Sequence, residues 1–100
     1  MNQFELIIKG GRIATAADVF HADIGIKDGR IAALADNLDS ADRVIDAAGA
    51  TITPGGVAGH CHLDQPSLDG SECADDFTSG TRSAVAGGTT TVIPLSLIHI

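Results

Sequence analysis

The chain has 100 residues, which allow one domain or part of one. Its formal charge of −7, with only six Lys and Arg, argues against nucleic acid or an anionic membrane surface as a partner, because both are recognised by basic patches. Apolar residues make up 44%, but there are three Phe and no Trp or Tyr, so any core is predicted to be aliphatic. No segment reaches the roughly 18–20 consecutive apolar residues of a membrane helix.

Cysteine content indicates the compartment. Cys61 and Cys73 are the only two cysteines, whereas a small secreted scaffold normally carries more. The first residues lack the basic and apolar segments of a signal peptide. The sequence therefore favours a cytoplasmic protein with both thiols reduced.

Residues 1–53 carry short β-branched runs separated by turn signals. Phe4–Lys9 leads into Gly10-Gly11, which we interpret as a tight hairpin turn. Asp28-Gly29 separates two alternating runs and is a stronger hairpin signal, because both turn positions require a positive φ. Residues 16–22 are predicted to be a loop, and residues 44–46 and 51–53 to be short strands. Residues 1–53 are therefore predicted to form a small antiparallel sheet with short connections.

The character of the chain changes after Pro54. Val57–Leu63 is predicted to be a buried strand, and a polar loop follows it. Asp75 or Asp76 is a candidate helix N-cap, and Gly87-Gly88 a C-terminal stop. The helix should bury one face, whose members are Phe77, Thr81, Ala84 and Val85. Residues 89–93 read as the next strand, so residues 54–100 form a βαβ unit with parallel strands.

His60-x-His62 is the motif that indicates chemistry. Residues two apart in a strand point to the same face, so the two imidazoles should leave together and Cys61 should point away. Two neutral imidazoles suit a zinc-type cation, although they make only half of a site. A strand that ends in ligands and is followed by a long loop is typical of the mouth of a (β/α)₈ barrel. Such a barrel takes about 250 residues, so this chain would supply only its beginning.

Five short motifs stand out in residues 54–91: Pro54-Gly55-Gly56-Val57, His60-Cys61-His62-Leu63-Asp64, Ala74-Asp75-Asp76-Phe77, Gly80-Thr81-Arg82-Ser83-Ala84 and Gly87-Gly88-Thr89-Thr90. With these motifs the segment resembles the N-terminal part of the dihydropyrimidinase/hydantoinase family, within the metal-dependent amidohydrolase superfamily. The resemblance extends over roughly residues 4–95 and is most specific in this segment.

The resemblance implies a truncated α/β fold: part of a β-sandwich in residues 1–53, then the first βαβ unit of a TIM-like barrel. It implies that His60 and His62 bind one ion of a binuclear zinc centre, and that the other ligands follow later in a longer chain. It implies hydrolysis of a cyclic amide, a dihydropyrimidine or hydantoin, by a homotetramer when full length. No catalytic residue is assigned within these 100 residues, which are expected to be inactive alone.

Several alternatives remain open. The family also includes scaffold proteins that have lost the metal ligands. Dihydroorotase and, less firmly, allantoinase are disfavoured because Asp64-Gln65 stands where an arginine usually follows the histidine motif. Ala58 replaces an aspartate that the family usually carries. Residues 95–100 fit the family poorly, and residues 96–100 read as a spurious end, so His99 is given no metal role.

Overall fold

The computed structural model describes residues 2–64, 70 and 73–95. It is mostly β structure with one helix, and it divides into two compact units, residues 1–54 and 55–100. The strands are β1 (Phe4–Ala14), β2 (Val19–Lys27), β3 (Arg30–Ala35), β4 (Ala41–Asp46), β5 (Thr51–Ile52), β6 (Gly56–Cys61) and β7 (Thr89–Pro94), and the helix is α1 (Phe77–Ala86).

The first unit is a five-stranded mixed sheet in the order β3-β2-β1-β4, with β5 also paired to β1. Strands β1, β2 and β3 are antiparallel, whereas β4 and β5 run parallel to β1. The expectation of a purely antiparallel sheet was therefore wrong. The sheet is mixed because β4 and β5 pair with β1, which lies much earlier in the chain, rather than with the strands next to them in sequence.

Two glycine-containing turn signals have different outcomes. Asp28 and Gly29 have φ angles of 54° and 71° and join β2 to β3, so the predicted hairpin is confirmed. The hairpin predicted at Gly10-Gly11 is wrong, because β1 continues through both glycines. The pairing shifts from Ile8–Ile24 to Gly11–Ala22, and Gly10 has a φ of 74°. This is a β-bulge, in which the left-handed glycine takes up an extra residue without ending the strand.

The core of the first unit is small and aliphatic apart from Phe4. Its buried apolar residues are Phe4, Ile7, Ile13, Ala22, Ile24 and Ala47, of which Ile7 is completely buried. Strand β2 begins at Val19, so the predicted loop over residues 16–22 is shorter than expected. Its first residues pair with the end of β1, because the bulge keeps β1 extended to Ala14.

The second unit contains the parallel pair β6–β7 connected through α1, so the predicted βαβ order is confirmed. Asp76 caps the helix: its carboxylate accepts the Ser79 amide at 2.7 Å, and the Ser79 hydroxyl accepts the Asp76 amide at 3.2 Å. The backbone hydrogen bond from Ser79 holds the pKa of Asp76 below its ordinary value. Gly87 is the C-cap.

Burial in this unit differs from the prediction. Val57 in the expected buried strand is 63% exposed, and Phe77 and Val85 on the expected core face of α1 are 52% and 59% exposed. The only buried helix residue is Gly80. Strand β6 has a single described partner, β7, so most of its surface remains accessible among the described residues.

Candidate metal centre

The two motif histidines lie at the C-terminal end of β6. His60 is in the strand, and His62 directly follows Cys61, the last residue of the strand. Their ring centroids are 5.1 Å apart and their planes are inclined by 77°. Both residues are exposed. The motif spacing thus brings two imidazoles together at one strand end.

His62 is attached to the neighbouring strand. Its Nδ1 lies 3.0 Å from the carbonyl oxygen of Leu95, directly after β7. The Leu95 amide donates to the Cys61 carbonyl at 2.8 Å, which continues the β6–β7 pairing past the end of both strands. Sequence reasoning missed Leu95, since the contact is made by a backbone group 33 residues away in sequence. The predicted parallel pairing of β6 and β7 was the only indication in the sequence that this contact could form.

The chain leaves the histidine motif along a defined path. Asp64 has a φ of 49°, and its amide donates to the Asp75 carbonyl at 2.8 Å. Leu63 packs against Gly80 so closely that a Cβ added at Gly80 would overlap its Cδ2 methyl. The beginning of α1 therefore holds the segment that follows His62.

Among the described residues, other candidate ligands do not gather around the histidine pair. Cys73 Sγ donates a long hydrogen bond of 3.7 Å to the His62 carbonyl. Within residues 2–64, 70 and 73–95, no group of three or more His, Cys, Asp or Glu side chains is arranged to hold a metal ion. His99 lies outside the described residues.

The polar residues of α1 have structural contacts. Asp76 caps the helix, and the Asp75 carboxylate accepts the Ser79 hydroxyl at 3.0 Å. The Thr81 hydroxyl donates to the carbonyl of Phe77 one turn earlier. These contacts favour the structural interpretation of the helix start over a catalytic one. Within the described residues, no helix has the length and apolar character needed to cross a membrane.

Comparison with known proteins gives consistent relatives. The chain is 50% identical over 94 residues to D-hydantoinase of Geobacillus stearothermophilus, and the match covers 93% of the chain and 20% of that protein. It is 39% identical over 94 residues to an allantoinase of Escherichia coli O1:K1, covering 94% of the chain and 20% of the relative. A solved D-hydantoinase structure matches with a TM-score of 0.85 and 43% identity, over 91% of the chain and 20% of that structure. No family model matches the chain.

Over about nine tenths of its length, the chain is similar in sequence to D-hydantoinases and to an allantoinase, and similar in fold to a solved D-hydantoinase. It spans about a fifth of the length of the relatives it matches.

Proposed function

We propose that the protein containing this region hydrolyses a ring amide bond of dihydropyrimidines or hydantoins, with His60 and His62 as ligands of a zinc centre. The spacing of the two imidazoles carries the proposal. Rings that share one zinc ion at the usual Zn–N distance of about 2.0–2.1 Å have centres about 5 Å apart in tetrahedral geometry. The 5.1 Å separation of His60 and His62 fits that arrangement.

Such an ion would supply a water of lowered pKa and polarise the attacked carbonyl. Within this chain, His60 and His62 would bind and orient it. We assign no catalytic residue here, and the remaining ligands would come from outside these 100 residues. The parallel β6–β7 pair with its crossover helix would begin a TIM-like barrel, and the mixed sheet would be part of a β-sandwich. We also propose that the full-length protein is a homotetramer in the cytoplasm, a location that agrees with a chain of only two cysteines.

Allantoin is the alternative substrate, favoured by the 39% identity to an allantoinase. The higher identity to D-hydantoinases supports hydantoins or dihydropyrimidines instead. Parallel assays with hydantoin, dihydrouracil and allantoin decide between them. Turnover of allantoin alone would overturn the preferred substrate class.

The metal role is tested by zinc content and affinity in His60→Ala and His62→Ala variants. Each should lower zinc affinity by at least the ~10–100-fold that loss of a supporting group costs. His21→Ala is the matched control, because His21 is an exposed histidine in β2 and should leave zinc binding unchanged. If both motif variants kept the wild-type zinc content, the spacing of His60 and His62 would be explained by edge-to-face packing of their rings. That result would favour a scaffold protein over a hydrolase.

A further inference from the structure

We infer that the backbone carbonyl of Leu95 is a positioning group that fixes the tautomer and orientation of His62. This inference rests on the proposed metal role of His62. It concerns how β7 prepares one ligand, and it is argued from the contact between His62 Nδ1 and the Leu95 carbonyl oxygen.

The chemistry of the two atoms determines the direction of the hydrogen bond. A carbonyl oxygen can only accept, so at 3.0 Å the Nδ1 atom of His62 must carry the hydrogen. In a neutral imidazole the lone pair then lies on Nε2. Metal-bound histidines usually donate their other ring N–H to a carbonyl or carboxylate, which fixes the ring and raises its basicity.

The position of the carbonyl is set by the strand pairing. The Leu95 amide donates to the Cys61 carbonyl at 2.8 Å, and Cys61 is the residue before His62. Leu95 is thus joined to the segment Cys61–His62 twice. Its amide donates to the Cys61 carbonyl, and its carbonyl contacts the His62 imidazole. Because a backbone atom supplies the contact, the identity of the side chain at position 95 should not affect it.

The decisive measurement is the tautomer of His62 in the ¹⁵N-labelled, metal-free chain, at a pH well above the ordinary imidazole pKa of about 6.5. Long-range ¹H–¹⁵N spectra should show a protonated Nδ1 and an unprotonated Nε2 for His62. The signals of His21 provide an exposed reference in the same spectrum. A dominant Nε2–H form, or the tautomer mixture of an unstructured histidine, would overturn the inference.

Two variants test the role of the backbone. Leu95→Pro removes the amide that donates to Cys61 and should shift His62 toward the tautomer mixture, whereas Leu95→Ala keeps the backbone and should retain the wild-type pattern. Zinc titration of the full-length protein carrying Leu95→Pro should show a ~10–100-fold loss of affinity. Retention of both the wild-type tautomer and the wild-type affinity in Leu95→Pro would contradict the positioning role. If His62 has the Nδ1–H tautomer but the full-length protein binds no zinc, the proposed function fails while the tautomer assignment stands.

Discussion

At the scale of single residues, the most developed polar contact lies around Asp23 in β2. This carboxylate is 4% exposed and accepts three hydrogen bonds, from Lys9 Nζ at 2.9 Å, the Gly10 amide at 2.9 Å and the Leu38 amide at 3.0 Å. Lys9 also donates to the Leu38 carbonyl at 2.7 Å. Asp23 therefore connects the bulge in β1 to the segment between β3 and β4, and it accepts the Gly10 amide, which lies in the bulge.

Asp23 should make the stability of the first unit depend on pH. The hydrogen bond from Lys9, followed by those from Leu38 and Gly10, lowers the pKa of Asp23 from 3.8 to about 2. A carboxylate with a lowered folded-state pKa stabilises the fold above its unfolded value, and this contribution is lost as the pH falls from about 4 toward 2. We expect the urea midpoint of the wild type to fall over that range.

Asp23→Asn is the matched variant, because it keeps the size of the side chain and removes its titration. It should be less stable than the wild type at neutral pH, and its midpoint should change less between pH 4 and 2. Equal pH dependence in both proteins would show that other carboxylates are responsible. Nothing in the sequence identified Asp23, since its partners come from residues up to 15 positions away.

At the scale of secondary-structure elements, substitution of Gly10 tests whether the bulge in β1 requires a residue with a positive φ. Because Gly10 has a φ of 74°, Gly10→Ala should lower the free energy of unfolding by about 1–2 kcal/mol, the cost of a left-handed non-glycine residue. Gly59→Ala is the control: its added Cβ meets no atom of the described residues within 4 Å, and its φ is not positive. It should change stability by less than about 0.5 kcal/mol. A neutral Gly10→Ala would show that the bulge can take another conformation.

A second element-scale prediction concerns the packing of α1 on the residue after His62. Gly80→Ala gains helix propensity of about 0.8–1 kcal/mol, but the new Cβ meets the Leu63 side chain, and overpacking costs about 1–3 kcal/mol. We expect Gly80→Ala alone to be destabilising by about 1 kcal/mol. In a Leu63→Ala background the clash is absent, so the same substitution should stabilise.

The comparison is a double-mutant cycle read by chemical denaturation. Its sign reversal would show that Gly80 is required by Leu63 rather than by the helix itself. The same effect of Gly80→Ala in both backgrounds would contradict the packing. Since Leu63 follows His62 directly, zinc affinity measured in the same four proteins would show whether the contact also positions the ligand.

The elements show which features the sequence could and could not predict. The Asp28-Gly29 hairpin, the Asp76 cap and the Gly87 stop are local, because each is determined by residues within one turn. Gly10-Gly11 was misinterpreted because a bulge and a hairpin turn both require glycine at a positive φ. Parallel pairing of β4 and β5 with β1 depends on contacts distant in sequence, for which the strand pattern carries no signal.

At the scale of the whole molecule, the candidate site was predictable only in its local part. The i, i+2 spacing at a strand end was enough to predict that the His60 and His62 rings share one side, and they lie 5.1 Å apart. Their support was not predictable, since it comes from the contact of Leu95 with His62 and from the packing of Gly80 against Leu63, the residue after the motif. Burial was overestimated for Val57 and Phe77, because apolar character indicates which surface can be buried but not which partner covers it.

The balance between buried and exposed apolar residues leads to the last prediction. Among the described residues, Ile7 is the only large side chain that is fully buried, while Ile31 and Leu34 on β3 are 67% and 51% exposed. Exposed apolar residues on an edge strand favour association. We therefore expect the 100-residue chain to self-associate as its concentration rises.

Replacing Ile31 and Leu34 together by Thr should reduce that association, measured by light scattering, and change stability by no more than about 0.5 kcal/mol per site. Ile7→Ala is the opposing control, because truncating a buried Ile costs about 2–5 kcal/mol and should abolish the sheet signal in circular dichroism. A cooperative, concentration-independent transition in the wild-type chain would contradict the prediction. If the β3 variant lost its structure as Ile7→Ala does, Ile31 and Leu34 would have to be part of the core, and β3 would not be the surface that drives association.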